Sequence, residues 1–329
     1  MNNTYEDRAN INRYIGKAAD RRLAEIKGPA FAEYRRIFET ARTEKKRTKL
    51  PIEISLGLTS YCNLLCKMCY RNYLPDQGRQ YMSLKLVDEI VEQCKDMHIS
   101  SFWLGSFTEG LLHPDILYII KKCGEVNALD YWFTTNGTLL SEDIAKAMIE
   151  NGVTKLHISL DAATPGTYKK IRGGDLNIVE KNIKQFLALR KSMGSELPML
   201  RVTMVEQEDN RNEVDAFVKK WTGVADIVDV QKLTDYSILE NDELDRESYK
   251  HTFFDCYYPF YQLSVTFDGR IWPCPCPVFN SGKPVYLHDM SLKEYWNSEE
   301  IMRIVNSILN KENYFDCCLK CLSLKPAKE

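Results

Sequence analysis

From residue 51 onward the chain alternates between two periods. Short runs dominated by β-branched and other apolar residues fall at 52–58, 101–104, 131–134, 155–160, 199–205 and 227–232. Between them, at 83–98, 114–123, 141–151, 177–193 and 211–221, apolar positions recur every three to four residues. The first pattern predicts strands and the second amphipathic helices. Ser83 and Ser141 stand where N-caps belong, and Gly152 and Gly194 where helices stop. Six strands with five intervening helices predict repeated βαβ units and a parallel sheet, hence an α/β fold. The pattern leaves open whether that sheet stays flat or curls into a barrel. Either way, functional groups belong at the C-terminal ends of the strands.

The flanks do not follow this alternation. Residues 1–49 are polar and rich in Lys, Arg and Glu, with helical periodicity at 6–26 and 29–46. After 235 comes an acidic, irregular stretch. A hairpin at 263–267 and 270–273 turning at Asp268-Gly269 follows, then a helical stretch at 291–309. Three regions are therefore expected: an N-terminal helical extension (1–49), the α/β region (50–235) and a small C-terminal domain (236–329). With 44% hydrophobic residues, 27% charged residues and a net charge of −2, the composition is that of a soluble globular protein. Nothing in it suggests a nucleic-acid or membrane partner. No apolar run approaches spanning length, and the segment from Met1 to Arg8 lacks a signal-peptide core, so a cytoplasmic protein is expected.

The cysteines change the picture. Eleven in such a chain do not make a disulfide framework in a reducing compartment, and their clustering points to metal. Cys94 and Cys123 lie alone in apolar-periodic segments and are expected in the core. Cys62, Cys66 and Cys69 form a C-x3-C-x2-C run just after the first strand, followed by Tyr70. Three thiolates this close on one loop hold three irons of a 4Fe–4S cluster and leave the fourth open, whereas zinc sites and ordinary ferredoxin clusters take a fourth side chain.

This run resembles the signature of the radical S-adenosylmethionine (SAM) enzymes. The resemblance implies a partial (β/α)6 TIM-like barrel, open on one side. It also implies that the open iron binds SAM and that a 5′-deoxyadenosyl radical formed from it abstracts a substrate hydrogen. Further positions match. The segment from Gly105 to Pro114, with Glu109, looks like the family's Gly-Gly-Glu-Pro segment that holds the SAM amino group, although Phe107-Thr108 and Gly110 depart from it. Thr134-Thr135-Asn136-Gly137 matches a Thr-Asn-Gly turn, and Ser159-Leu160-Asp161 a Ser-Leu-Asp strand end. The resemblance thus implies cofactor contacts at Tyr70, Glu109, Thr135, Asn136 and Ser159. Arg172 and Arg201 are candidate carboxylate clamps, because a guanidinium fork fits a carboxylate bidentately. His113 is expected to cap a helix and His157 to sit satisfied in the core. Gln231, Lys232 and Asp235, at the last strand, are placed to meet a substrate.

The C-terminal region resembles the family's auxiliary-cluster domain, SPASM, or Twitch in its one-cluster form. The carried features are Gly269-x4-Cys274, the run from Ser291 to Ser298, and a closing C-x2-C. On this resemblance Cys256, Cys274, Cys318 and Cys321 ligate one auxiliary 4Fe–4S cluster, leaving Cys276 and Cys317 as substitute ligands, hydrogen-atom donors or packing residues. A zinc site built from Cys274, Cys276, Cys318 and Cys321 is the alternative. A closed cluster does no ligand chemistry and suits electron transfer. The leading expectation is therefore oxidation of a carbinol or amine-bearing carbon of a sugar, aminocyclitol or nucleotide sugar to a ketone, with a flavodoxin or ferredoxin-type reductant. Alternatives are epimerisation with Cys276 or Cys317 donating hydrogen, peptide modification by a maturase, and a non-enzymatic electron carrier.

Overall fold

The structure, a computed structural model, describes residues 11–234, 236, 256–275 and 284–311. Its frame is one ten-stranded sheet. An edge strand β1 (Ile11–Ile15) precedes helices α1 (Lys17–Lys27) and α2 (Pro29–Thr43). Next come β2 (Glu53–Leu56), α3 (Leu84–Asp96), β3 (Ser101–Leu104), α4 (Ile116–Gly124), β4 (Asp130–Thr135), α5 (Glu142–Glu150) and β5 (Lys155–Ser159). The series continues with α6 (Pro165–Arg172), α7 (Leu176–Ser192), β6 (Met199–Glu206), α8 (Val214–Trp221) and β7 (Ile227–Lys232). The C-terminal part adds β8 (Gln262–Val265), β9 (Arg270–Trp272), β10 (Val285–Tyr286), α9 (Leu292–Trp296) and α10 (Glu299–Leu309).

Strands β2 to β7 are all parallel and lie in chain order. Right-handed crossovers that always step the same way put every helix on one face, and the sheet then curls. A doubly wound sheet would reverse its order at a switch point, and this one does not. The fold is thus an α/β partial barrel whose sheet is extended by C-terminal strands. Its outer face carries the main core, in which Ile54, Leu56, Phe102, Leu104, Phe133 and Val202 meet the apolar stripes of the helices. Ser83 and Ser141 cap α3 and α5 through their hydroxyls, at 3.2 and 3.3 Å from the Leu86 and Ile144 amides.

Three elements differ from the sequence expectation. Residues 11–15 form a strand rather than part of a helix, pairing antiparallel with β7 and closing that edge of the sheet. The 291–309 stretch is two helices, because Ser291 and Ser298 each start one with a side-chain cap. Helix α6 was not anticipated, although Thr164-Pro165 is a cap followed by Pro at the first helical position.

Both flanks join the barrel. Strand β8 pairs in parallel with β2, so the C-terminal hairpin extends the same sheet. Helices α1 and α2 form a second core with Ile52, Met199, Ile227 and Tyr261 beneath the end from which the barrel strands start. Cys94 and Cys123 are buried in the main core, where desolvation pushes both thiols up. No helix among the described residues is long and apolar enough to cross a membrane.

Candidate active site

The cysteine loop leaves the C-terminal end of β2 and is fastened at several points. The Lys67 amide donates to the Ile171 carbonyl of α6 at 2.8 Å, and the Cys69 amide to the Cys66 carbonyl at 3.0 Å. The Asn72 side-chain amide donates to the carbonyls of Cys66 and Lys67 at 3.0 and 3.2 Å. The three thiols line one cavity of about 510 Å³. Burial pushes the Cys62 thiol up and the Cys66 thiol to about 11. Such thiols ionise in exchange for a metal ion, and binding releases their protons.

Gly105 begins the opposite wall. Its φ of +80° suits glycine, and a Cβ there would stand 2.2 Å from the Thr134 carbonyl oxygen. The turn carries Glu109, whose buried carboxylate accepts from Thr135 Oγ1 at 2.7 Å, the Asn136 amide at 2.7 Å and the Leu111 amide at 3.2 Å. Desolvation pushes this carboxyl up, against the pull of those donors. Asn136 in turn donates to Asn63 Oδ1 at 2.8 Å and to the Cys62 sulfur at 3.8 Å. Tyr70 donates to the Phe107 carbonyl at 2.5 Å, joining the cysteine loop to the same wall. Gly105→Ala is expected to cost at least about 1 kcal/mol of stability and to weaken SAM binding, measured by urea unfolding of the apoprotein and by equilibrium binding.

The far wall comes from β5 and α6. Ser159 lines the cavity, as do Gln231 and Lys232 of β7. Arg172 also lines it, with Nε 2.8 Å from Asp161 Oδ2. Burial opposes the Arg172 charge, but Asp161 and Cys66 outweigh it and hold the guanidinium ionised. Asp161, at φ +61°, also accepts from the Val205 amide at 2.7 Å. Arg201 is not in this wall. It lies buried in the barrel, ion-paired with Asp229, which also accepts from Gln231. His113 is a buried anchor, with Nε2 2.7 Å from the Met82 carbonyl and Nδ1 accepting from the Asp115 amide at 3.1 Å.

Beneath the cavity, the inner face of the sheet is polar. Alternation along β2 to β7 points Glu53, Ser101, Asp130, Lys155, Arg201 and Asp229 inward. Several pair with one another: Lys155 Nζ is 2.7 Å from Asp130 Oδ2, and Glu53 Oε2 accepts from Ser101 at 2.6 Å and from Trp132 Nε1 at 3.2 Å. Trp103 and Trp132 stack with centroids 4.4 Å apart, and His157 lies 4.8 Å from Trp132. His157 is half-buried on this lumen wall rather than enclosed in the core. The indoles went unnoticed in the sequence, yet Trp103 and Trp132 stand at inward positions of adjacent strands, which is the available signal.

Of the later cysteines, the two described, Cys256 and Cys274, lie at the other end of the barrel. Strand β8 runs parallel with β2, so Cys256, which precedes it, is at the end where the barrel strands begin. Strand β9 returns antiparallel and brings Cys274 back to that end. Strand β2 spans roughly 13 Å between the two ends. Asp235, Cys276, Cys317, Cys318 and Cys321 lie outside the described residues.

Comparison with known proteins agrees with this geometry. Residues 56–213 match the model of the radical SAM superfamily, and residues 256–322 that of the SPASM iron–sulfur cluster-binding domain. A probable GTP 3′,8-cyclase of Methanococcus vannielii is 31% identical over 137 residues, covering 41% of this chain and 44% of the relative. A tungsten-containing aldehyde ferredoxin oxidoreductase cofactor-modifying protein of Pyrococcus furiosus is 26% identical over 167 residues, covering 48% and 45%. The chain thus spans less than half the length of these relatives. Among solved structures, Streptococcus suis SuiB bound to S-adenosylmethionine superposes with a TM-score of 0.60 at 15% identity, covering 79% of this chain and 68% of that one. BtrN in complex with AdoMet and 2-DOIA gives 0.54 at 14% identity, covering 80% and 88%. At such identities the likeness is one of fold.

Proposed function

Because this chain belongs to the radical SAM superfamily and carries a SPASM domain, we propose that it oxidises a carbinol or amine-bearing carbon of a small polar substrate, of sugar or aminocyclitol type, to the ketone or imine level. The observation that carries this reading is the polar lumen between the two cysteine-bearing ends of the sheet. A polyol or aminocyclitol presents hydroxyl and ammonium groups, and the cavity above that lumen offers Ser106, Thr134, Ser159, Gln231 and Lys232 to match them. Solved relatives of the same fold were crystallised with 2-DOIA and with the precursor peptide SuiA, so fold alone does not choose between small molecule and peptide.

The donor set of the cysteine loop fits the cluster that the family carries there. Three thiols of one loop face a cavity whose walls hold Glu109, Ser159 and Arg172. Once bound, SAM and its cluster supply hydrogen-atom abstraction, and the auxiliary cluster supplies one-electron acceptance. Glu109 and Ser159 are suited to an ammonium and to hydroxyl or carboxylate oxygens of SAM, and Arg172 to its carboxylate. Asn136, donating to Cys62, orients that ligand. Gln231 and Lys232, which line the same cavity, are suited to substrate oxygens.

In this reading the substrate loses one hydrogen atom, one electron and one proton. Reduced, reconstituted protein should form a product lighter by two hydrogens, consume one SAM per product and introduce no solvent deuterium. A product of unchanged mass carrying solvent deuterium at the abstracted carbon would instead establish epimerisation.

A further inference from the structure

Gln262 is the first residue of β8 and is fully buried, yet neither the nitrogen nor the oxygen of its amide has a hydrogen-bond partner among the described residues. A buried amide left this way carries its full desolvation penalty, so a native structure that keeps one has a use for it. Its surroundings narrow that use. Gln262 is in register with Glu53, and two residues on, Ser264 is in register with Ser55 and shares a 2.6 Å hydroxyl–hydroxyl bond with it. Glu53 reaches across the inner face to Ser101 and Trp132. Gln262 therefore projects from the lumen side of the sheet, while Leu263 and Val265 pack into the main core.

It also stands at the end of the sheet that carries Cys256 and Cys274. Trp272 pairs with Ser264 in the β8–β9 ladder. Cys274 lies two residues beyond Trp272, and Gln262 two residues before Ser264. The neighbouring groups are already engaged with one another: Glu53 with Ser101 and Trp132, Ser264 with Ser55. Among the described residues of this row Gln262 presents an unspent N–H donor, on the side facing the lumen and at the end of the sheet that carries Cys274.

We propose that the Gln262 carboxamide donates a hydrogen bond to the iron–sulfur cluster held by Cys256 and Cys274, and by doing so raises its reduction potential. Reduction adds negative charge to the thiolates and sulfides, and an N–H donor stabilises the reduced form more than the oxidised one. The residue thereby sets how readily the cluster takes an electron arriving from the lumen. The inference rests on the reading of the C-terminal cysteines as an auxiliary-cluster site.

The test uses the full chain with Cys62, Cys66 and Cys69 replaced by Ala, so that the remaining iron belongs to the C-terminal site. Adding Gln262→Met keeps the side-chain length and removes both polar atoms. The apoprotein should melt no lower than its parent, since an unsatisfied amide has been removed. Iron content should be unchanged, and the midpoint potential, followed by EPR during a redox titration, should shift to lower values. Gln262→Glu is the second variant, and its carboxylate should lower the potential further as pH rises. Unshifted midpoints in both variants, with iron retained, would overturn the role of Gln262. A parent chain that binds no iron would overturn the auxiliary-site reading itself.

Discussion

Cys66→Ala is expected to reduce SAM cleavage to background while leaving iron at the C-terminal site. Outer-shell partners of metal ligands already contribute about 10–100-fold to affinity or activity, so loss of a ligand should cost more than about 100-fold. Cys66 is also the cysteine most firmly placed by its neighbours. Its carbonyl accepts from the Cys69 amide and the Asn72 side chain, and its thiol lies in the field of Arg172. With the loop fastened by its backbone, the variant should fold and should still bind the lumen's substrate. The checks are 5′-deoxyadenosine formation by the reduced protein and iron per chain. Undiminished cleavage would remove the loop from the reaction.

The second large effect is structural. Arg201 and Asp229 are almost fully buried in the barrel and ion-paired, with Gln231 as a further donor to the Asp229 carboxylate. Arg201→Met leaves an uncompensated carboxylate in the lumen, a change that costs about 3–5 kcal/mol. Replacing Asp229 with Leu in the same chain should restore much of the loss, because an apolar pair of similar volume needs no desolvation to be compensated. Urea unfolding of the three apoproteins measures both effects. A loss below about 1 kcal/mol in the single variant would mean that the Asp229 carboxylate does not depend on Arg201 for compensation.

Much of the barrel was legible because its outer face is apolar and its loops are capped. Strands 101–104 and 227–232 coincide with the observed Ser101–Leu104 and Ile227–Lys232. Ser83 and Ser141 act as the caps their positions suggested. Other features depend on which groups meet in space. Arg201 is a candidate carboxylate clamp by its guanidinium fork, but it lies low in β6, where Asp229 of the neighbouring strand pairs with it. The Trp103–Trp132 stack arises from two strands in register, which periodicity does not report. The 11–15 segment reads as helical by composition, yet the open edge of β7 offers it backbone partners, and pairing prevails over propensity. At the site, the three loop thiols, Glu109, Ser159 and Arg172 line one cavity. The bonds that tie Glu109 to Thr135 and Asn136 could not be read from motifs, because they join three separate turns.

The proposed oxidation depends on a second iron–sulfur site, at the end of the barrel that carries Cys256 and Cys274, able to accept an electron. The most direct measurement is iron and sulfide content of the Cys62→Ala/Cys66→Ala/Cys69→Ala chain after anaerobic reconstitution, with EPR on reduction. About four irons per chain and a 4Fe–4S signal are predicted. No iron, or zinc in its place, would contradict the account and remove the electron acceptor on which oxidation depends.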